Sequence, residues 1–174
     1  MKVCGRRFNL FLVLAALVLL GACRTDRQEK ETSALRIYLE TAPTGNGLTQ
    51  TISVLRADPL MVTIATMPIL TEASVVAARI LEAPGGFGLE IRFDENGSWI
   101  LEQYSAANPG RHFVVFGQWG ASTNDSRWLA APVITRRLAN GLLAFTPDMS
   151  RAEAERFVLG LNNVARQNAK DRLK

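Results

Sequence analysis

Past residue 33 the chain alternates apolar and polar positions in short bursts, and the period of each burst names an element. In ALRIYLE (34–40), Leu35, Ile37 and Leu39 fall on one face and Arg36, Tyr38 and Glu40 on the other, the pattern of a half-buried strand. TAPTGNG then turns, and QTISVLR (50–56) alternates again with Ile52, Val54 and Arg56 together, so the two runs predict a hairpin. MVTIA (61–65), bounded by Pro59 and Pro68, is a third short strand. Thr71 is positioned to cap a helix with Glu72 in its first turn and Ala73, Val76, Ala77 and Ile80 down one face. APGGFG (83–88) ends it. A phosphate-cradling glycine pair precedes a helix, whereas this pair precedes the strand FGLEIRF (87–93), so it reads as a turn.

Asp94 is an N-cap for ENGSWILEQYSAAN, where Ile100, Leu101, Tyr104 and Ala107 share a face and Gly97 costs about 1 kcal/mol relative to alanine. Pro109-Gly110 stops that helix. RHFVVFGQW (111–119) is apolar almost throughout, as a strand covered on both faces would be. GASTNDS follows as a loop, and RWLAAPVITRRL (127–138) is extended on its β-branched content, with Pro132 marking an edge, a bulge or a bend. LLAFT (142–146) is the last strand. Ser150 and Glu153 form an S-x-x-E capping box before a helix whose stripe is Ala154, Phe157, Val158, Leu161, Val164 and Ala165. Together these predict an α+β fold: two layers, a mixed and mostly antiparallel sheet with about three helices packed on it.

The N-terminal 22 residues follow a different logic. Lys2, Arg6 and Arg7 precede the unbroken apolar run Leu10–Leu20, a basic segment and an apolar core of about a dozen residues, short of the roughly 20 a membrane span needs. LGAC (20–23) resembles the lipobox of bacterial lipoproteins, which implies cleavage before Cys23 and lipidation of that residue, with palmitate as an expected acyl group. An ordinary secretory signal and an uncleaved anchor are the alternatives. Arg24, rather than aspartate, follows the family's tendency for sorting to the outer membrane. The expected organisation is a signal peptide (1–22), a charged tether (23–33), one domain (34–167) and a polar tail (168–174).

That division changes the charge argument. The chain has 20 Lys+Arg against 16 Asp+Glu, a net charge of +4. Three of the basic residues lie in the signal, leaving 17 against 16, about +1, so the high isoelectric point does not argue for nucleic acid. With Cys4 removed and Cys23 lipidated, no thiol is left for a disulfide, a metal or nucleophilic attack.

Candidate chemistry is sparse. His112 is the only histidine, so a His-rich metal site has no ligands to draw on, and any Ser-His-Asp set would have to include it; a partly exposed or satisfied core histidine is the plainer reading. Asp94 with Glu95, and Glu153 with Glu155, sit where helix starts want acidic residues. Of the tryptophans Trp99, Trp119 and Trp128, the last two bracket the longest loop, as core or as an exposed contact surface. Arg127, Arg136 and Arg137 either decorate a solvated face or meet a partner's carboxylates or acidic headgroups. Trp119, Arg127, Trp128, Arg136 and Arg137 are therefore the candidate partner contacts. No catalytic residue, metal ligand or cofactor site is expected.

Six pieces in order carry a family resemblance: Leu70-Thr71-Glu72-Ala73, Asp94 to Gly97, Gly110-Arg111, Ala131 to Ile134, Asn140-Gly141, and Ser150 to Ala154, spread over about 60–165, roughly 60% of the chain. In this order they resemble the head subdomain of the first periplasmic domain of SecD, the accessory subunit of the Sec protein translocase. The resemblance implies that fold, a helix opened by the Leu70–Ala73 motif, a periplasmic setting and contact with extended or partly folded polypeptide. Two departures limit it. QWGASTNDSRW (118–128) replaces the family's tight Asp-Gly hairpin, and no membrane-spanning helices follow the signal, so translocation-driving activity does not carry over. The expected function is a lipid-anchored, non-enzymatic periplasmic binding module with a protein partner in envelope export or assembly. An envelope hydrolase, a small-ligand or lipid carrier, and a structural tether are the alternatives.

Overall fold

The computed structural model describes residues 31–45, 47–120 and 125–172. Its strands, in chain order, are β1 (Thr32–Leu39), β2 (Thr49–Val54), β3 (Leu60–Ala65), β4 (Leu70–Thr71), β5 (Val75–Ala83), β6 (Gly86–Phe93), β7 (Phe113–Gly120), β8 (Asp125–Ala130) and β9 (Leu142–Phe145). Helix α1 (Glu95–Ala107) lies between β6 and β7, and α2 (Arg151–Asp171) follows β9. Among the described residues the strand pairings are antiparallel and form three sheets, ordered β4-β1-β7-β8, β2-β3 and β5-β6-β9.

The main core lies between the four-stranded and three-stranded sheets under α2. Leu35, Ile37, Phe113, Val115 and Trp119 come from the first sheet, Leu89, Ile91, Phe93 and Leu143 from the second, and Ala154, Phe157 and Leu161 from α2; all are buried. Each large side chain removed from water contributes about 1.5–3 kcal/mol. α2 opens on the expected capping box, with Ser150 Oγ accepting from Glu153 N and the Glu153 carboxylate accepting from Ser150 N. Asp94 caps α1 by accepting from Gly97 N at 2.8 Å. Gly97 is there for closeness: a Cβ would stand 2.9 Å from Ser74 Cβ and 3.0 Å from Phe93 Cβ. The buried stripe of α1 is narrower than expected, Gly97, Leu101 and Ser105, and Tyr104 stays exposed.

Five expectations are corrected. Residues 71–82 do not form a helix. Thr71 does cap, accepting from Ala73 N, but only the single 3-10 turn Glu72–Ser74, after which the chain runs as β5 against β6. Two helices are therefore present among the described residues, not about three. Val75, Val76 and Ile80 are β-branched and favour the pleat, and the two-residue turn Pro84-Gly85 folds β5 directly back on β6. β1 does not pair with β2. β1 pairs with β7 over its full length, and β2 pairs with β3. Nor are there only two layers, because the β2–β3 hairpin covers the other face of the four-stranded sheet. That second core contains Tyr38, Val54, Val62, Ile64 and Val114, so Tyr38 is buried rather than solvent-facing. The loop expected over 120–126 is shorter, since β7 reaches Gly120 and β8 starts at Asp125. Finally, the domain begins before residue 34: Glu31 is buried, with Arg156 Nε donating to its carboxylate at 3.2 Å and Asn163 Nδ2 to its carbonyl at 2.9 Å. Cys23 lies outside the described residues.

Candidate functional site

A strand at the edge of a sheet presents unpaired N–H and C=O groups, and proteins normally cover them. Most edges here are covered. β4 is only two residues long. The edge of β5 is closed at Ala78, whose N–H donates to Asn162 Oδ1 and whose carbonyl accepts from Asn162 Nδ2, both at 2.9 Å, so one side-chain amide of α2 stands in for a strand neighbour. The outer side of β8 is met by the segment after β9, where Asp148 N donates to Leu129 O at 2.7 Å and Arg127 Nη1 donates to Asp148 O at 3.0 Å. The hairpin edge of β3 is joined by Thr41 N donating to Thr63 O at 2.9 Å.

β9 is different. Phe93 N donates to Gly141 O, and the register continues as Arg92↔Leu142, Ile91↔Leu143, Glu90↔Ala144 and Leu89↔Phe145. Antiparallel hydrogen-bonded pairs alternate, so Gly141, Leu143 and Phe145 spend their backbone groups on β6, while those of Leu142 and Ala144 point outward. Leu142 N donates to the side chain of Asn140 at 3.3 Å; Ala144, which is exposed, meets no strand on that side among the described residues.

Opposite this edge runs Pro132–Arg136. That segment is held on its far side by the lead-in to β7: Phe113 N donates to Pro132 O at 3.0 Å, Ile134 N to Arg111 O at 2.7 Å, and Gly110 N to Ile134 O at 2.9 Å. Pro132 therefore bends the chain away after β8 and keeps it in register with residues 111–113 through its carbonyl, having no N–H to offer. The space left between β9 and this segment is a groove of about 270 Å³ whose buried lining is Phe113, Ile134 and Leu143 and whose outer lining includes Val133, Arg136 and Leu142.

The residues singled out from sequence do not converge. Trp119 is fully buried beside Phe157, their ring centroids 6.0 Å apart, so it belongs to the core and is corrected as a contact residue. Its position in β7, on the face toward α2, decides this. Arg127 is engaged internally, 3.2 Å from Glu153 and over the Trp119 ring at 5.5 Å. Trp128 is half-buried in the second core against Tyr38 and Phe116, at 5.4 and 4.9 Å between ring centroids. Arg137 pairs with Glu102 on α1. Arg136 alone of the five lines the groove. Reasoning from sequence missed Leu142 and Ala144. A signal was present: LLAF carries neither the charge nor the proline that usually blunts an edge strand.

His112 forms a pair with Glu40, Nδ1 to Oε2 at 2.6 Å, and its backbone N–H donates to the same oxygen at 2.9 Å. Burial opposes the charge on Glu40, but the two His112 hydrogen bonds outweigh it and hold the carboxyl below its usual range. The pair joins the end of β1 to the start of β7, and no nucleophile is bonded to the His112 ring in the described structure. Among the described residues, no three His, Cys, Asp or Glu side chains are grouped to hold a metal ion, and no helix is long and apolar enough to cross a membrane.

Fold and groove together define an antiparallel α+β domain in which the outer edge of β9 faces a groove. No family model matches the chain and no curated protein matches it significantly. Solved structures do. A structure of SecDF, described as a membrane component that enhances protein export, superposes with a TM-score of 0.53 at 18% identity, over 82% of this chain and 67% of that one. SecDF in its super-membrane-facing form gives 0.54 at 19% identity, over 80% of this chain and 20% of that one, so the chain spans a fifth of that longer protein. These likenesses establish the fold: it is the SecD-like fold that the six sequence pieces implied.

Proposed function

We propose that the chain is a lipid-anchored periplasmic binding module, non-enzymatic and built on the SecD-like fold, that holds extended polypeptide during envelope protein export or assembly. Lipid at Cys23 keeps the domain at the membrane, with the outer membrane as its location. The observation that carries the reading is the open edge of β9, whose outward backbone groups face a groove with an apolar lining. An extended chain entering there adds a fourth strand to the β5-β6-β9 sheet; main-chain hydrogen bonds supply the affinity, and alternate side chains enter the groove. The likeness to SecDF, which enhances protein export, supports this choice of ligand.

The test uses the edge itself. Proline at position 144 removes the outward N–H that an added strand requires, yet leaves the bonds of Leu143 and Phe145 to β6 in place, and proline is tolerated at strand edges. Full-length protein and its Ala144→Pro variant are mixed with a reduced, permanently unfolded polypeptide, and amide exchange is followed. The expected result is slower exchange at Ala144 in the parent and no binding by the variant at unchanged melting temperature. Equal binding by the two proteins refutes strand addition at β9, and no binding by either leaves the structural-tether reading in its place.

A further inference from the structure

We infer that the β9 groove selects extended segments that alternate apolar and acidic side chains. The inference rests on the reading of β9 as a polypeptide-binding edge and adds which polypeptides it takes.

A strand added to β9 continues the pleat of its sheet, so its side chains divide between two faces. Those on the core side enter the groove over Phe113, Ile134 and Leu143, which are buried and apolar. Those on the solvent side join the row to which Leu142, Ala144, Glu90 and Arg92 belong, since Leu142 is registered with Arg92 and Ala144 with Glu90.

The charges on that solvent side are unbalanced. Glu90 is already held by Arg79, Nε to Oε1 at 2.6 Å. Arg92 and Arg136, like Arg36, Arg111 and Arg166 elsewhere on the surface, have no carboxylate within 4 Å among the described residues, whereas Arg56, Arg79, Arg127, Arg137, Arg151, Arg156 and Arg172 do; of the five, only Arg92 and Arg136 stand beside β9. Arg92 is registered with Leu142 on the solvent face of the sheet, and Arg136 lines the opposite wall of the groove. Neighbouring strands stand about 4.8 Å apart, so a carboxylate opposite Leu142 lies roughly 10 Å from the β6 backbone, within the span of a leaning arginine. It is thereby placed between two uncompensated guanidinium groups. A lysine there meets the same two cations with the wrong sign, and a fully apolar segment forgoes the charge contacts.

The probes are two fluorescein-labelled ten-residue peptides, one alternating valine with glutamate and the other valine with lysine, titrated into full-length protein in detergent and read by anisotropy. The glutamate peptide should bind roughly tenfold more tightly at low salt, and the ratio should shrink as salt rises. Arg92→Gln with Arg136→Gln should bring the ratio near one, and Arg136→Glu should invert it; both positions are exposed, and their change leaves the core intact. Equal binding of both peptides, lost in Ala144→Pro, overturns the charge selection and leaves strand addition standing. A glutamate preference that survives the double substitution also overturns it. Binding of neither peptide, together with failure of the unfolded polypeptide to bind, overturns both readings.

Discussion

Replacing Gly160 by alanine should destabilise the protein, although in most helices the same change stabilises. Gly160 is buried in the middle of α2, where alanine is favoured over glycine by about 1 kcal/mol on propensity alone. Here the helix crosses β1 so closely that an added Cβ would lie 2.7 Å from the Thr32 carbonyl carbon and 2.9 Å from Ser33 N, as well as against Ser33 Oγ. Two of these are backbone atoms fixed by the full-length β1–β7 ladder, and no rotamer change relieves them. The helix must lift, loosening Phe157 and Leu161 together. Overpacking of this kind costs about 1–3 kcal/mol, here toward the upper end, and after the propensity gain a net loss of about 1–2 kcal/mol remains. For a chain of this size that lowers the melting temperature by roughly 2–8 °C. Thermal and urea unfolding of the full chain followed by circular dichroism measure it, with tryptophan fluorescence compared in a Trp99→Phe, Trp128→Phe background, where Trp119 beside Phe157 reports whether the seat of α2 has shifted. Gly86→Ala, where a Cβ meets nothing within 4 Å, serves as control and should stay within about 0.5 kcal/mol. A melting temperature for Gly160→Ala equal to or above the parent's would refute the close seating of α2 on β1.

Two further outcomes follow from named contacts. The Arg56 side chain, hydrogen-bonded to Asp148 at 2.9–3.1 Å, holds that carboxyl below its usual range against the opposing effect of burial. A depressed carboxylate contributes stability that is complete above its unfolded value, near 3.9, and is lost as pH falls through the lower folded value. Asp148→Asn should therefore lower the urea midpoint at pH 7, with the gap to the parent closing as pH falls below about 4; a gap independent of pH would contradict it. Asn162→Ala removes both bonds to Ala78 and should cost about 1–2 kcal/mol while speeding amide exchange at Ala78, because the edge of β5 loses its stand-in neighbour.

Where the determinants are local, reading the chain residue by residue succeeds. Both helices appear with their caps, Asp94 and Ser150, because capping is decided within three residues. β6 and β9 emerge within a residue of their ends because alternation is also local. Residues 71–82 fail for a reason of the same kind. Ala73, Val76, Ala77 and Ile80 satisfy a helical spacing and Thr71 supplies a real cap, yet pairing with β6 outweighs both, and that pairing depends on Pro84-Gly85 turning the chain back. The second core was invisible because nothing in ALRIYLE announces that the β2–β3 hairpin will cover Tyr38. The arginines read as one cluster belong to three places, since the bend at Pro132 separates Arg127 in β8 from Arg136 at the groove and Arg137 against α1.

The buried Glu31 alters what the N-terminal segment can do. A tether running to residue 33 would leave Ser33 outside the domain, but Ser33 is registered with Trp119 and buried, and Glu31 is fixed to α2 through Arg156 and Asn163. Only the eight peptide steps from Cys23 to Glu31 then separate the proposed lipid from the folded domain, a reach of at most about 29 Å, against about 36 Å for the ten steps to Ser33. The point of attachment is also firm, since it sits at the crossing where Gly160 lets α2 touch β1. With the proposed lipid at Cys23, so short a connection would confine the domain to a shell next to the membrane. Confinement of that kind would raise the effective concentration of the β9 edge toward the extended chains proposed as its ligand, so a modest intrinsic affinity would suffice to hold them.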